Sequence, residues 1–104
     1  MGEHAFVLIT CGDEPEARGI ARHLVESHLA AGVQFIPIDS IYTWDDVVVD
    51  DQEWLLIAKT RTDRFHPIES VVTEMHSYEV PPVLMIEMSQ ASPPYLDWID
   101  RALV

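Results

Sequence analysis

Apolar residues along the chain recur with two different periods, and the switches between them mark its elements. Ala5-Phe6-Val7-Leu8-Ile9-Thr10 is a short, nearly continuous apolar run with β-branched and aromatic members, which predicts a central strand buried on both faces. Asp13 stands three residues before Glu16 with Pro15 between them. This pairing opens a helix, because a carboxylate can accept a free first-turn N–H and a proline there gives up no helical hydrogen bond. The stripe Ala17, Ile20, Ala21, Leu24 and Val25 carries the helix to about Ala30, with Gly32 as its stop.

Two extended segments follow, Val33 to Trp44 and Gln52 to Thr60. Val47-Val48-Val49 lies between them, bracketed by Asp45-Asp46 and Asp50-Asp51, which predicts a long antiparallel hairpin with a solvated acidic tip. Twelve residues at about 3.3 Å each reach roughly 40 Å, about twice a typical strand. A single small domain has no core of that length. Pro37 lacks an N–H for the ladder and is expected to bend or split the first strand, sending Tyr42 and Trp44 away from their own sheet. A hairpin with aromatic side chains beyond its own core is most readily stabilised by pairing with another subunit.

Phe65, Ile68, Val71, Val72 and Met75 predict a second helix over about Asp63 to His76, with Pro67 confined to its first turn. Val83 to Met88 is the fourth strand, following Pro81-Pro82. Ser92-Pro93 opens a C-terminal helix whose buried face is Tyr95, Leu96, Trp98, Ile99 and Ala102. Strand, helix, strand, strand, helix, strand with a trailing helix is the α+β, ferredoxin-like double βαβ arrangement, here in one domain spanning 1–104.

Charge narrows the possible partners. Eighteen acidic residues against six basic ones give a net charge of −12, and Lys59 is the one lysine. A nucleic-acid binder needs a basic footprint and an anionic membrane needs a cationic segment, so neither partner is expected. The opening residues have no positive n-region, and the apolar run after them is too short for a membrane span. With Cys11 the single cysteine, no intrachain disulfide can form, which fits a reducing cytoplasm.

Several blocks are more specific than this pattern. His28-Leu29-Ala30-Ala31-Gly32-Val33-Gln34-Phe35-Ile36-Pro37, Ser40-Ile41-Tyr42-Thr43-Trp44, Leu56-Ile57-Ala58-Lys59-Thr60, His76-Ser77-Tyr78-Glu79-Val80-Pro81 and Tyr95-Leu96-Asp97-Trp98-Ile99 closely resemble the CutA family of divalent-cation tolerance proteins. The resemblance implies a homotrimer related in architecture to PII-type signalling proteins, with hairpins paired between subunits and no catalytic activity. It also implies a role in the response to copper or other divalent metal ions, with none tightly bound as a cofactor. A cleft near the subunit interface would include Tyr42, Trp44, Lys59, Tyr78, Glu79 and Trp98. This chain departs from the family at Gly32, where cysteine is usual, at Ser77 in the usual His-Pro-Tyr, and at Pro82, where glutamate usually follows Val-Pro. A cysteine proposed as a copper ligand in some members falls at Ile9, and the histidine pair beside it at Met75 and His76.

Within that frame Cys11, Met75 and His76 form a replacement metal set, because two residues along a strand return to the same face and thiolate, thioether and imidazole favour Cu(I). Their plain structural reading is a small core residue, a core filler and a helix-ending histidine. Asp45, Asp46, Asp50 and Asp51 offer hard oxygen ligands but lack the spacing of a calcium loop. Lys59, Tyr78 and Glu79 either surround a small ligand or form a structural pair in which Lys59 neutralises Glu79 or the acidic hairpin. His23 and His28 on the first helix read as packed, dipole-satisfied histidines with no zinc-pair spacing, and His4 and His66 show no partner by spacing. No nucleophile elbow or phosphate-binding glycine loop occurs, which leaves a small-ligand or partner-binding signalling module as the alternative to metal tolerance.

Overall fold

The computed structural model describes residues 3–104. Its strands are β1 (His4–Cys11), β2 (Gly32–Trp44), β3 (Val47–Arg61) and β4 (Val83–Glu87); its helices are α1 (Glu14–Glu26), α2 (Phe65–Met75) and α3 (Pro93–Ala102). The sheet order is β2-β3-β1-β4, and every neighbouring pair is antiparallel. Each βαβ half therefore places its two strands on either side of a strand from the other half, as the ferredoxin-like pattern requires.

Helix α1 begins as its sequence predicts. The Asp13 side chain accepts from the Glu16 N–H at 2.8 Å, and Pro15 occupies the first turn. Ala17, Ile20, Ala21 and Leu24 face Val7, Ile9, Leu56 and Ala58 of the sheet and Ile68 and Val72 of α2 in one buried cluster. Both helices thus cover one face of the sheet. For that reason β1 is not buried on both sides: Ala5, Val7, Ile9 and Cys11 are buried, while Phe6, Leu8 and Thr10 on the other face are only partly so.

Three boundaries differ from expectation. Helix α1 stops at Glu26, and His28, not Gly32, takes the left-handed conformation, with φ 62°. Its imidazole Nδ1 lies 3.1 Å from the Ala102 carbonyl, which helps hold this conformation. Pro37 neither splits nor ends β2: the ladder runs on from Ile36 opposite Leu55, through Pro37 opposite Trp54, to Ile38 opposite Glu53. β2 is an edge strand, where an absent N–H leaves no partner strand unsatisfied. Finally, the hairpin turns at Asp45 and Asp46 alone, with φ 51° and 62°, so Asp50 and Asp51 belong to β3 opposite Ile41 and Ser40.

α2 follows a short 3-10 turn at Thr62–Arg64, which leaves Pro67 in its first turn. α3 forms a second, smaller core in which Ile99 and Leu103 meet Ala31. Asp100 ties it to the sheet by accepting from Arg61 at 2.6 Å and lying 2.9 Å from His4 Nε2. Those contacts, led by the Arg61 hydrogen bond, hold the Asp100 carboxyl below its usual range. Tyr95 and Trp98, expected on the buried face, remain more than a third exposed and pack against each other with ring centroids 5.3 Å apart.

Candidate functional site

Two arrangements of chemical interest meet around Tyr78. The first is a side-chain cluster at the junction of β1, α1 and the end of α2, where donor atoms of Cys11, Glu16 and His76 all lie within 4.8 Å of one another. The His76 side chain is fully buried. Its Nε2 lies 2.6 Å from the Thr10 carbonyl, and its Nδ1 accepts from the Tyr78 N–H at 3.0 Å, which assigns the tautomer with the proton on Nε2. Glu16 Oε1 sits 3.5 Å from Nδ1. The same carboxylate accepts from the Ser77 N–H at 3.1 Å and the Ser77 hydroxyl at 3.2 Å, two bonds of which a proline at this position could make neither.

Cys11 is completely buried, and burial, reinforced by the negative charges of Glu16, Asp13 and Glu53, pushes its thiol up to about 12. Met75 is 40% exposed on the last turn of α2 and is not one of the side chains packed on the core containing Cys11. The third donor brought to Cys11 and His76 is thus Glu16, which the sequence presents only as a helix-capping residue. Thiol, carboxylate and imidazole form a mixed sulfur, oxygen and nitrogen set that suits borderline divalent ions such as Zn²⁺ or Cu²⁺ better than a soft monovalent one. The residues therefore fit a transition metal, and ligation through Nδ1 would take its lone pair from the Tyr78 amide.

The second arrangement is a cleft of about 830 Å³ under the distal part of the hairpin. Tyr42, Trp44, Tyr78 and Glu79 line it, together with Asp39 and Glu53, which the sequence pattern did not single out. Glu53 is only 5% exposed and accepts from the Tyr78 hydroxyl at 2.7 Å. Desolvation and the Glu53 carboxylate both raise the Tyr78 phenol, which therefore stays protonated and donating. Tyr78 packs against Gly12 so closely that a Cβ there would lie 3.1 Å from its hydroxyl. The His76 and Tyr78 rings are 4.7 Å apart, which joins the cleft to the first cluster.

Lys59 and Trp98 sit elsewhere. Lys59 is six positions from Glu53 along β3, about 20 Å at strand spacing, and its ammonium donates to Gln34 rather than to Glu79 or the acidic hairpin. Burial lowers its proton affinity. Trp98 lies over Gly32, the residue paired with Lys59, and a Cβ at position 32 would come 3.1 Å from its ring. Glycine at that departure makes room for the tryptophan. The hairpin aspartates do not converge, and among the described residues the one metal-type grouping of three His, Cys or acidic side chains is Cys11, Glu16 and His76.

Architecture and cluster together define a small α+β protein of the ferredoxin-like class with a metal-competent donor set beside an aromatic cleft. The profile of the CutA1 divalent ion tolerance protein family matches residues 5–102, and the chain belongs to that family. It is 44% identical over 94 residues to the divalent-cation tolerance protein CutA of Thermus thermophilus, covering 89% of this chain and 91% of that one. It is 40% identical over 99 residues to the CutA homolog of Xenopus laevis, covering 94% of this chain but only 66% of that longer protein. The solved structure described as the periplasmic divalent cation tolerance protein CutA from Archaeoglobus fulgidus superposes with a TM-score of 0.95 at 36% identity, covering 97% of this chain and 99% of that one. No helix among the described residues is long and apolar enough to cross a membrane.

Proposed function

We propose that this protein is a cytoplasmic homotrimer that binds copper or another divalent transition metal through Cys11, Glu16 and His76, as part of divalent-cation tolerance. The observation that carries the reading is the convergence of three unlike donors within 4.8 Å, two of them on side chains withdrawn from solvent. Trimer formation draws support from apolar side chains that the chain leaves uncovered: Leu84 and Ile86 on the sheet face opposite α1 and α2, and Val47 and Val48 at the hairpin end. The cytoplasmic placement rests on a single unpaired cysteine. A metal ligated here displaces the thiol proton that burial holds on Cys11, with the Glu16 carboxylate and the His76 imidazole as the bases beside it.

The test is calorimetric titration of the full chain, reduced beforehand and then freed of reductant under an inert atmosphere, with Zn²⁺ and with Cu²⁺, read alongside thiolate-to-metal absorbance. Saturable binding that Cys11→Ala and His76→Gln each weaken at least tenfold is expected. Unaltered binding in both variants would place the metal elsewhere and remove the assignment. A second reading, a module that holds a small ligand, rests on the cleft walled by Tyr42, Trp44 and Tyr78 with Glu53 in its lining.

A further inference from the structure

We propose that residues 77–82, the link between α2 and β4, form a strap that metal binding at Cys11, Glu16 and His76 unfastens, because the strap is held by the same lone pairs a metal would use. This strap role rests on the metal reading of that cluster. Residues 77–82 form neither helix nor strand, and Pro81 and Pro82 have no N–H to donate. Among the described residues the hydrogen bonds that the link donates come from Ser77 and Tyr78 alone. The Ser77 N–H donates to Glu16 Oε2 at 3.1 Å and the Ser77 hydroxyl to Glu16 Oε1 at 3.2 Å. The Tyr78 N–H donates to His76 Nδ1 at 3.0 Å, and the Tyr78 phenol to Glu53 Oε2 at 2.7 Å. All but the last of these bonds end on side chains of the metal set.

Competition is sharpest at His76. A neutral imidazole has one nitrogen with a free in-plane lone pair, and the Nε2 contact with the Thr10 carbonyl leaves that lone pair on Nδ1. One lone pair serves the Tyr78 N–H or a metal, not both. A carbonyl behind the protonated nitrogen is also the contact that orients a histidine for ligation through its other nitrogen. His76 is therefore set to ligate through the very atom that Tyr78 occupies. Glu16 is more accommodating, since a carboxylate has acceptor sites to spare, but an oxygen that gives charge to a cation accepts less strongly from Ser77.

Tyr78 carries the release beyond the cluster. Its ring lies against the His76 ring, with centroids 4.7 Å apart, and so close to Gly12 that a Cβ there would come 3.1 Å from the phenol oxygen. A ring confined in this way shifts when its own amide withdraws. An O–H···O bond holds only over about 2.5–3.0 Å, so the bond to Glu53 breaks with that shift. The coupling is reciprocal: each contact that fastens the strap opposes metal binding, and metal binding opposes each contact. A residue that merely supported the metal site would act in the opposite sense, because its loss would weaken binding.

The experiment takes the full chain in its native assembly, reduced and then freed of reductant under an inert atmosphere, with Zn²⁺ as the probe. Hydrogen exchange should show the Tyr78 amide exchanging at least tenfold faster with Zn²⁺ bound, while the amides of α1 hold their rates. Zn²⁺ affinity, measured by competition with a chromophoric chelator, should rise about three- to tenfold in Tyr78→Phe and by less in Ser77→Ala. An affinity that fails to rise in Tyr78→Phe overturns the proposal, as does unchanged Tyr78 exchange in a chain that binds Zn²⁺. Binding that Cys11→Ala and His76→Gln weaken, with Tyr78 exchange unchanged, would leave the metal assignment standing and remove the strap alone. Absence of saturable Zn²⁺ binding would remove both.

Discussion

One hairpin has two halves with opposite fates. In the proximal half, Val33 to Ile36 pairs with Leu55 to Ala58, and Leu56 and Ala58 are completely buried beneath α1 and α2. In the distal half, Asp39 to Trp44 pairs with Val47 to Gln52 through an equally continuous ladder, yet Ile41 is 73% and Val48 71% exposed. The same backbone hydrogen bonding builds both, so the ladder makes the strands without deciding what their side chains bury. Helices decide that, and they reach only half of the hairpin's length. Packing energy accordingly concentrates in one half, while surfaces suited to recognition, the cleft and the bare apolar tip, concentrate in the other.

The largest test of this division is Leu56→Ala. Removing a wholly buried side chain from the proximal half should lower stability by about 2–5 kcal/mol in urea unfolding, whatever the protein concentration. A loss under about 1 kcal/mol would mean that the helices do not secure this half. Cys11, opposite Trp54 at the boundary of the halves, sets the next effect. Folding raises its thiol from 9.0 to about 12, so its contribution is complete below pH 9 and is lost as pH rises towards 12, where the unfolded chain ionises first. At pH 10.5 the protein should have lost about 2 kcal/mol relative to pH 8 that Cys11→Ala does not lose. Parallel pH profiles for the two proteins would refute it. Val48→Asp probes the distal half: analytical ultracentrifugation should show the proposed trimer converted to monomer, with a loss of apparent stability that depends on protein concentration rather than on core packing. A trimer that tolerates this charge does not use the hairpin tip.

Much of the fold is visible in the sequence because it rests on local signals. Asp13 with Pro15 starts α1, Pro67 fixes the first turn of α2, and the run from Ala5 to Thr10 marks a sheet-centre strand. The failures are positional. Pro37 reads as a strand breaker only while the strand's place in the sheet is unknown; at an edge it costs nothing in the ladder. The candidate site is less legible, since its members meet through long-range contacts. Glu53 reaches Tyr78 across 25 positions and Glu16 reaches Ser77 across 61, and no local spacing carries either relation. Family likeness groups Lys59 and Trp98 with the residues of an intersubunit cleft; within one protomer they lie at the opposite end of the sheet from Tyr78.

The smallest effect discriminates between two aspartates that look equivalent in sequence. Asp46 and Asp50 both border the valine run, and both read as parts of one acidic tip. The backbone separates them: Asp46 adopts φ 62° in a two-residue turn between Trp44 and Val47, whereas Asp50 is extended opposite Ile41. Left-handed φ at both central residues is the geometry of the hairpin turn in which glycine is preferred, because a side chain there crowds its own backbone. Asp46→Gly should therefore raise stability by about 0.5 kcal/mol, since relief of the strained conformation outweighs the added freedom of the unfolded chain. Asp50→Gly gains no such relief and loses strand order, so it should cost about 0.5–1 kcal/mol. Paired urea midpoints read the difference directly. If the two substitutions shift stability in the same direction, the turn is not confined to Asp45-Asp46, and the register that aligns Tyr42 with Val49 at the mouth of the cleft would have to slip with it.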